Sequence, residues 1–203
     1  MTLPLQTVAF VDDEPGILQV LRMACESCYQ VIGEGRNGIE AVTLVKTLKP
    51  QVLVLDLHMP AMDGLQALRQ IVPFETTAVV ILTADQDPKI AREAMDLGAC
   101  GYVNKPFELS QIIPMLETAW HRFQSAHHLR QEVAQLSENL ETRKLLERAK
   151  GILMEQQGFT EDQAHKMLQK MSQDQGISLK EVCRSLIQIR MVLGKTAQQR
   201  KAV

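Results

Sequence analysis

The sequence predicts an α/β fold: a five-stranded parallel sheet, doubly wound by helices on both faces, followed by an all-helical second part. Apolar runs of strand length alternate with helix-like segments in the first half, and no strand signal returns after Met115. Unbroken apolar runs are typical of strands that are covered on both faces of a parallel sheet. Charge divides the chain as well, with 10 Lys and Arg against 18 Asp and Glu in residues 1–141 and 12 against 6 in residues 142–203.

The alternation predicts each element of the first part in order. Strands are expected near residues 7–11, 29–34, 51–55, 78–82 and 100–103, and helices near 15–27, 38–48, 64–71 and 87–97. Pro106 delays the fifth helix, which should begin near Glu108. Pro114 falls within its first two turns and predicts either a kink or a later start.

A heptad pattern follows the predicted sheet. Small or apolar residues recur in steps of three and four at 116, 119, 123, 126, 129, 133, 136 and 140, with one slip between 126 and 129. This spacing is typical of a helix that pairs with a second helix. We therefore expect a coiled coil over 117–140 that joins two copies of the chain as a homodimer; the alternative is a solvated connecting helix.

The remaining residues predict three short helices that share one core. They are expected near 141–156, ending at Gly158, near 160–172, and near 178–193, ending at Gly194. Thr160 with Gln163, and Ser178 with Glu181, match capping boxes at the second and third starts. The predicted core consists of Ala149, Ile152, Leu153, Phe159, Ala164, Met167, Leu168, Met171, Leu179, Val182, Leu186 and Ile189.

Charged residues end three of the predicted strands. Asp12 and Asp13 follow the first strand, Asp56 ends the third, and Lys105 follows the fifth. Because ligands gather at the carboxyl ends of parallel strands, these side chains should converge on one rim. Carboxylates that lie so close repel one another unless a hard cation sits between them, and Mg²⁺ is the expected metal.

A phosphoryl acceptor is the chemistry that this rim favours. A carboxylate can attack phosphorus when a metal and an ammonium absorb the charge on the transferring oxygens. Asp56 is the best nucleophile because it ends its strand alone, whereas Asp12 and Asp13 are adjacent and suited to holding the cation. Lys105 supplies the ammonium, and Thr83, which ends the fourth strand, could donate a hydrogen bond to a bound phosphoryl oxygen.

These motifs make the segment from about Thr7 to about Leu116 similar to the receiver domain of two-component response regulators, a flavodoxin-like domain predicted here over 1–116. The resemblance implies a sensor histidine kinase as phosphodonor and Mg²⁺ as cofactor. It assigns the metal to Asp12, Asp13, Asp56 and the backbone carbonyl of His58, and the phosphoacceptor role to Asp56. The switch hydroxyl falls on Thr83, the switch aromatic on Tyr102, and the family's lysine on Lys105. Phosphorylation is then expected to draw Thr83 inward, let Tyr102 turn, and strengthen the dimer.

Motifs in the second part resemble the ANTAR domain of transcription antiterminators. They are Ala149-Lys150-Gly151-Ile152-Leu153-Met154, the run 158–164, and the run 178–182. The resemblance covers roughly 139–195; we predict the domain over 141–195 and a tail over 196–203. It departs at His165, where relatives often carry an aromatic residue.

This second resemblance implies that a dimer binds paired RNA stem-loops in a nascent transcript and so prevents a terminator hairpin from forming. Unstacked loop bases and dense phosphates suit basic helices, and two linked modules gain effective concentration. The candidate phosphate contacts are Arg143, Lys144, Arg148, Lys150, Lys166, Lys170, Lys180, Arg184 and Arg190.

Two other functions of the second part stay open. A helix-turn-helix that binds DNA needs a reading helix, yet only ten residues follow Leu193. A basic surface that docks on an acidic protein partner is the second alternative. An enzymatic role is not expected, because residues 142–203 hold no cluster of nucleophile, base and phosphate loop. The N-terminus has no basic leader and no apolar run reaches membrane-spanning length, so we expect a cytoplasmic protein without membrane contact.

Overall fold

The computed structural model describes residues 6–85 and 87–200, the last ten as backbone only. The chain divides into two compact units, Met1–Leu129 and Arg130–Val203. This division falls inside the segment predicted as the coiled coil. None of the helices within the described ranges combines the length and the apolarity that crossing a membrane requires.

The first unit is built on one parallel sheet, as predicted. Its strands are β1 (Gln6–Val11), β2 (Tyr29–Gly35), β3 (Val52–Asp56), β4 (Ala78–Thr83) and β5 (Gly101–Asn104), in the order β2-β1-β3-β4-β5. The connecting helices are α1 (Pro15–Cys25), α2 (Gly38–Leu48), α3 (Gly64–Ile71) and α4 (Pro88–Leu97), with a 3₁₀ turn at Val72–Phe74. The doubly wound α/β fold is therefore confirmed.

Burial of both faces of the sheet explains why polar and apolar residues do not alternate along β3. All five of its residues are buried. Leu53 and Leu55 belong to one apolar cluster, while Val52 and Val54 belong to a second cluster. Because successive side chains of a strand point to opposite faces, one strand supplies both cores and needs apolar residues throughout.

The strand order positions the acidic residues. The chain passes from β2 at one edge, across β1, to β3, so the order reverses between β1 and β3. Val11 pairs with Leu55 across these two strands, which brings Asp12 and Asp56 to the same end of the sheet. A crevice at such a switch point is where open α/β sheets bind ligands.

Helix α5 runs without interruption from Leu109 to Gln157. It includes Pro114, so the later start is wrong, and it continues through residue 141, where we expected a separate helix. Nothing between 117 and 157 ends it, because that stretch carries no further proline and its one glycine, Gly151, has no positive φ. The apolar side chains that continue the heptad pattern, Leu129, Val133, Leu136 and Leu140, are each more than half exposed.

The second unit packs the end of α5 against α6 (Glu161–Gln175) and α7 (Leu179–Arg200). Both capping boxes are confirmed: Gln163 N–H bonds to Thr160 Oγ1, and Glu181 N–H bonds to Ser178 Oγ, each with the reciprocal bond. Gly194 does not end the last helix, because a glycine inside a helix costs only about 1 kcal/mol and does not break it.

The core of this unit differs from the prediction at four positions. Met167 and Ile189 are exposed, whereas Cys183 and Ile187 are buried. The buried face of α7 includes Val182, Cys183 and Ile187, and residue 189 lies outside this face. The cluster includes Ala149, Leu153, Ala164, Leu168, Val182 and Cys183, with Leu145, Leu146, Phe159, Met171, Leu179 and Leu186 packed against it.

Two glycines give a matched test of backbone packing in the first unit. An added Cβ at Gly64 would overlap the Asp56 carbonyl oxygen and lie 2.8 Å from Leu57 Cα, whereas at Gly16 it would meet nothing within 4 Å. We expect Gly64→Ala to lower the free energy of unfolding by about 1–3 kcal/mol. Gly16→Ala should raise it by up to about 1 kcal/mol. Urea unfolding of both variants measures this, and equal effects would contradict it.

Candidate functional site

Three carboxylates converge at the switch point of the sheet. Ligand oxygens of Asp12, Asp13 and Asp56 all lie within 4.8 Å of one another. Asp12 and Asp56 are buried, while Asp13 is exposed. Backbone amides hold two of them: Glu14 N–H donates to Asp12 Oδ1 at 3.0 Å and His58 N–H donates to Asp56 Oδ2 at 3.1 Å. The site is thus open to solvent on the side of Asp13, while Asp12 and Asp56 are held in place by backbone hydrogen bonds.

Lys105 closes the cluster with an ammonium group. Its Nζ lies 2.7 Å from Asp12 Oδ2 and 3.2 Å from Asp56 Oδ1, and its side chain is 12% exposed. Lys105 N–H also donates to the Thr83 carbonyl oxygen at 2.6 Å, which ties the β5 end to β4. The peptide between Lys105 and Pro106 is cis. The structure therefore brings together four of the residues that the sequence assigned to this rim.

The electrostatics of the cluster are unbalanced. Burial raises the pKa of the Asp56 carboxyl and nearby Asp12 raises it further, while the Lys105 ammonium opposes both. For Lys105, burial acts to lower the pKa, but its bonds to Asp12 and Asp56 outweigh this and raise it. Lys105 thus stays charged, and one ammonium faces three carboxylates. The excess negative charge is what a divalent cation would neutralise.

The donor set fits Mg²⁺. Clustered carboxylate oxygens with one open side suit a small, hard cation that retains several of its waters. Asp12, Asp13 and Asp56 would hold it. A ligand role for the backbone carbonyl of His58 stays a prediction.

Thr83 and Tyr102 occupy different environments. Thr83 is buried, and its Oγ1 accepts a hydrogen bond from Asp85 N–H at 3.0 Å. The Tyr102 ring, on β5, is 48% exposed. The threonine hydroxyl is thus held at the end of β4, and the aromatic ring points outward. Their switch roles stay predictions.

Two residues that the sequence interpretation passed over also border the site. Glu14 Oε1 lies 3.5 Å from Lys105 Nζ. Asp85 Oδ2 lies 3.7 Å from the exposed His58 imidazole Nε2. Glu14 follows Asp12 by two positions, and Asp85 follows Thr83 by two positions. This proximity in the sequence to assigned site residues could have identified both.

Five of the nine basic residues assigned to the second unit form ion pairs within it. Lys150 Nζ lies 2.7 Å from Glu147 and 2.6 Å from Glu161, and Lys150 is buried. The other pairs are Lys166 with Asp162, Lys180 with Glu138 and Glu141, Arg184 with Glu141, and Arg190 with Glu155. The positive charges of these five side chains are therefore already paired with neighbouring carboxylates.

The remaining four basic residues are Arg143, Lys144, Arg148 and Lys170. All four are exposed, and none forms an ion pair with another residue whose side chain is described. Three of them lie on α5 within two turns of one another. Among the described side chains of these nine residues, the positive charge outside ion pairs is therefore concentrated over residues 143–148 of α5.

Comparison with known proteins matches both units. Residues 8–117 match the family described as "Response regulator receiver domain", and residues 134–187 match the "ANTAR domain". The transcriptional regulatory protein PdtaR of Mycobacterium tuberculosis is 38% identical over 182 residues, which cover 89% of each protein.

Two other similar proteins match only about half of this chain. The solved signal receiver domain of the response regulator NarL from Mycobacterium tuberculosis has a TM-score of 0.53 and 30% identity, over 58% of this chain and 98% of that one. A protein-glutamate methylesterase of Hahella chejuensis is 40% identical over 103 residues, which are 49% of this chain and 30% of that enzyme.

The imbalance of charge predicts how Asp56→Asn and Mg²⁺ act on stability. Because its pKa is raised, ionised Asp56 costs stability above the folded pKa, and this cost disappears below the unfolded pKa. Without Mg²⁺ at pH 7, Asp56→Asn should melt a few degrees above the wild type. Added Mg²⁺ should raise the wild-type melting temperature more than that of the variant.

Asp96→Asn serves as the control because Asp96 is an exposed carboxylate on α4, away from the cluster. It should leave both the melting temperature and the Mg²⁺ response unchanged. An Asp56→Asn variant that is less stable than the wild type at pH 7 would contradict the electrostatic account.

Proposed function

Because this chain belongs to the response regulators that join a receiver domain to an ANTAR domain, we propose that it is phosphorylated on Asp56 by a sensor histidine kinase and then binds RNA stem-loops to promote transcription antitermination. One observation supports the proposal above all. A buried carboxylate, Asp56, lies 3.2 Å from a lysine ammonium beside two further carboxylates. Such a site is suited to accept a phosphoryl group.

The transfer needs few groups. A carboxylate oxygen of Asp56 forms a bond to phosphorus while the donor's P–N bond, or the P–O bond of an acyl phosphate, breaks and its electrons leave with the donor. The Lys105 ammonium, fixed between Asp12 and Asp56, faces the negative charge of the phosphoryl oxygens. Bound Mg²⁺ would supply further charge neutralisation at the same place.

The switch from site to output is proposed to pass through Thr83 and Tyr102. The Thr83 hydroxyl is held near Asp85 N–H at the end of β4, next to β5, which carries Tyr102. A phosphoryl group on Asp56 would attract the hydroxyl and vacate space that the tyrosine ring can enter. Phosphorylation would thus shift the receiver toward a conformation in which the surface around β5 binds a different partner.

A homodimer through α5 is the second part of the proposal. Leu129, Val133, Leu136 and Leu140 form an exposed apolar stripe on this helix with steps of four, three and four residues. A stripe at heptad spacing is stable in water when a second helix covers it. A dimer of this kind holds two ANTAR domains together, so that paired hairpins in one transcript are bound with a high effective concentration.

Phosphorylation of the receiver is expected to strengthen dimerisation. Acetyl phosphate with Mg²⁺ should add one phosphoryl group to the wild type and none to Asp56→Asn, as measured by intact mass. Sedimentation should then show a larger dimer fraction for the phosphorylated chain. The double variant Leu136→Ser with Leu140→Ser should accept the phosphoryl group but remain monomeric.

Met23→Ser is the matched control, since Met23 is an apolar residue of α1 that is 68% exposed and lies outside the stripe. It should dimerise as the wild type does. A dimer constant that phosphorylation leaves unchanged, together with altered RNA affinity, would replace the dimerisation switch by release of the output domain from the receiver.

Binding to RNA has its own test. The phosphorylated full chain is offered a pool of stem-loops with randomised loops, and the selected RNA is compared with duplex DNA of the stem sequence and with single-stranded RNA. We expect selected hairpins to bind most tightly. Their association constant should fall with salt, by a log–log slope of about −0.9 for each phosphate contact in a duplex stem.

No preference for hairpins at moderate salt would contradict antitermination. It would leave an acidic protein as the partner of the second unit. Preference for the duplex DNA would instead indicate a DNA-binding regulator.

A further inference from the structure

Gly151 lies in an unusual place for a glycine. It is inside α5, six residues before the helix ends at Gln157, where a glycine costs about 0.5–1 kcal/mol relative to alanine. A Cβ built there would meet no other part of the described chain within 4 Å. By contrast, a Cβ at Gly33 or Gly38 would come within 2.7 Å of a packed side chain. Packing therefore explains Gly33 and Gly38, but contacts with the described residues do not explain Gly151.

The helix face that carries Gly151 also carries open positive charge. Lys144, Arg148 and Gly151 are spaced i, i+4 and i+7, so they lie on one face. Ala149 and Leu153 lie on another face and belong to the core. Lys144 and Arg148 are among the four basic residues of the unit without an ion pair to a described side chain.

We infer that Lys144, Arg148 and Gly151 form the surface of the ANTAR domain that contacts RNA, an inference that rests on the proposed function. The two cations would bind phosphates of one strand. They are one helical turn apart, about 6 Å along the axis, so successive phosphates can reach both. The missing side chain at Gly151 lets the sugar-phosphate backbone come close to the helix.

The other basic residues serve the fold in this account. Lys150 lies between Glu147 and Glu161, and so joins α5 to the start of α6. Lys180 and Arg184 join α7 to Glu141 of α5. Drawing these cations toward RNA would leave carboxylates unpaired beside the phosphates, which like-charge repulsion disfavours.

RNA is favoured over an acidic protein by the combination of features on this face. An acidic protein presents carboxylates on flexible side chains and can bind cations without close approach of the backbones. Gly151 is costly to its helix, an added Cβ there would meet nothing in the described chain, and it lies beside two cations, so it benefits a partner with bulk directly against the helix. A nucleic-acid strand, whose charge lies on its own backbone, is such a partner.

Gly151→Ala separates this role from a structural one. The substitution should raise the melting temperature, because alanine favours the helix and its Cβ has space. It should nevertheless weaken binding of the full phosphorylated chain to its selected tandem hairpin by about tenfold. Gly16→Ala, also with open space, should stabilise the chain and leave the affinity unchanged.

Charge variants give the second arm. Lys144→Gln and Arg148→Gln should each weaken hairpin binding and reduce the salt slope by about 1, with the melting temperature unchanged. Lys180→Gln, which removes an ion-paired charge from the same unit, should lower the melting temperature and leave the salt slope as in the wild type.

The outcomes separate this inference from the proposed function. If the wild-type chain binds no hairpin, both are wrong. If it binds hairpins, and Gly151→Ala and Arg148→Gln bind equally well, the proposed function stands and the inference is overturned. Equal weakening of binding to heparin and to the hairpin by Gly151→Ala would also overturn it, because a general polyanion does not need close approach at one residue.

Discussion

The contacts of the Lys105 ammonium with Asp12 and Asp56 are the interaction on which the first unit depends. Two buried carboxylates so close together repel each other, and without this cation the end of the sheet would be unstable. The same contacts place the ammonium where a phosphoryl group arrives. The same side chain therefore stabilises the fold and serves the chemistry of the site. The negative charge of the third carboxylate is not balanced by Lys105, so a divalent cation can bind there.

Much of this arrangement follows from the sequence because parallel strands order their ends. Unbroken apolar runs predicted β1 and β3 within one residue at each end, and the doubly wound order then requires Asp12 and Asp56 to meet. Local motifs predicted the helix starts equally well, since the Thr160 and Ser178 caps need only residues three positions away. Short-range rules suffice wherever the determining contact is local or imposed by the sheet.

The differences arise where tertiary contacts decide. No local signal tells a continuous α5 from two helices, since residues 117–157 are compatible with a helix throughout. Ile187 and Ile189 are both apolar residues in the middle of the same helix, and only tertiary packing determines that the first is buried and the second exposed. The ion pairs of Lys150 with Glu161 and of Lys180 with Glu138 were equally hidden, because these partners lie 11 and 42 residues away.

The two proposed sites share a physical property. Each opposes stability: the acidic cluster through burial and through repulsion by Asp12, which both raise the pKa of Asp56, and Gly151 through its cost to the helix. Lys150 and Gly64, by contrast, have an ion-pair partner and packing neighbours that account for them. Where a residue weakens a fold at a functional site, a ligand supplies the compensation that the chain lacks. Here a cation or phosphoryl group would compensate the first site, and a closely approaching RNA strand the second.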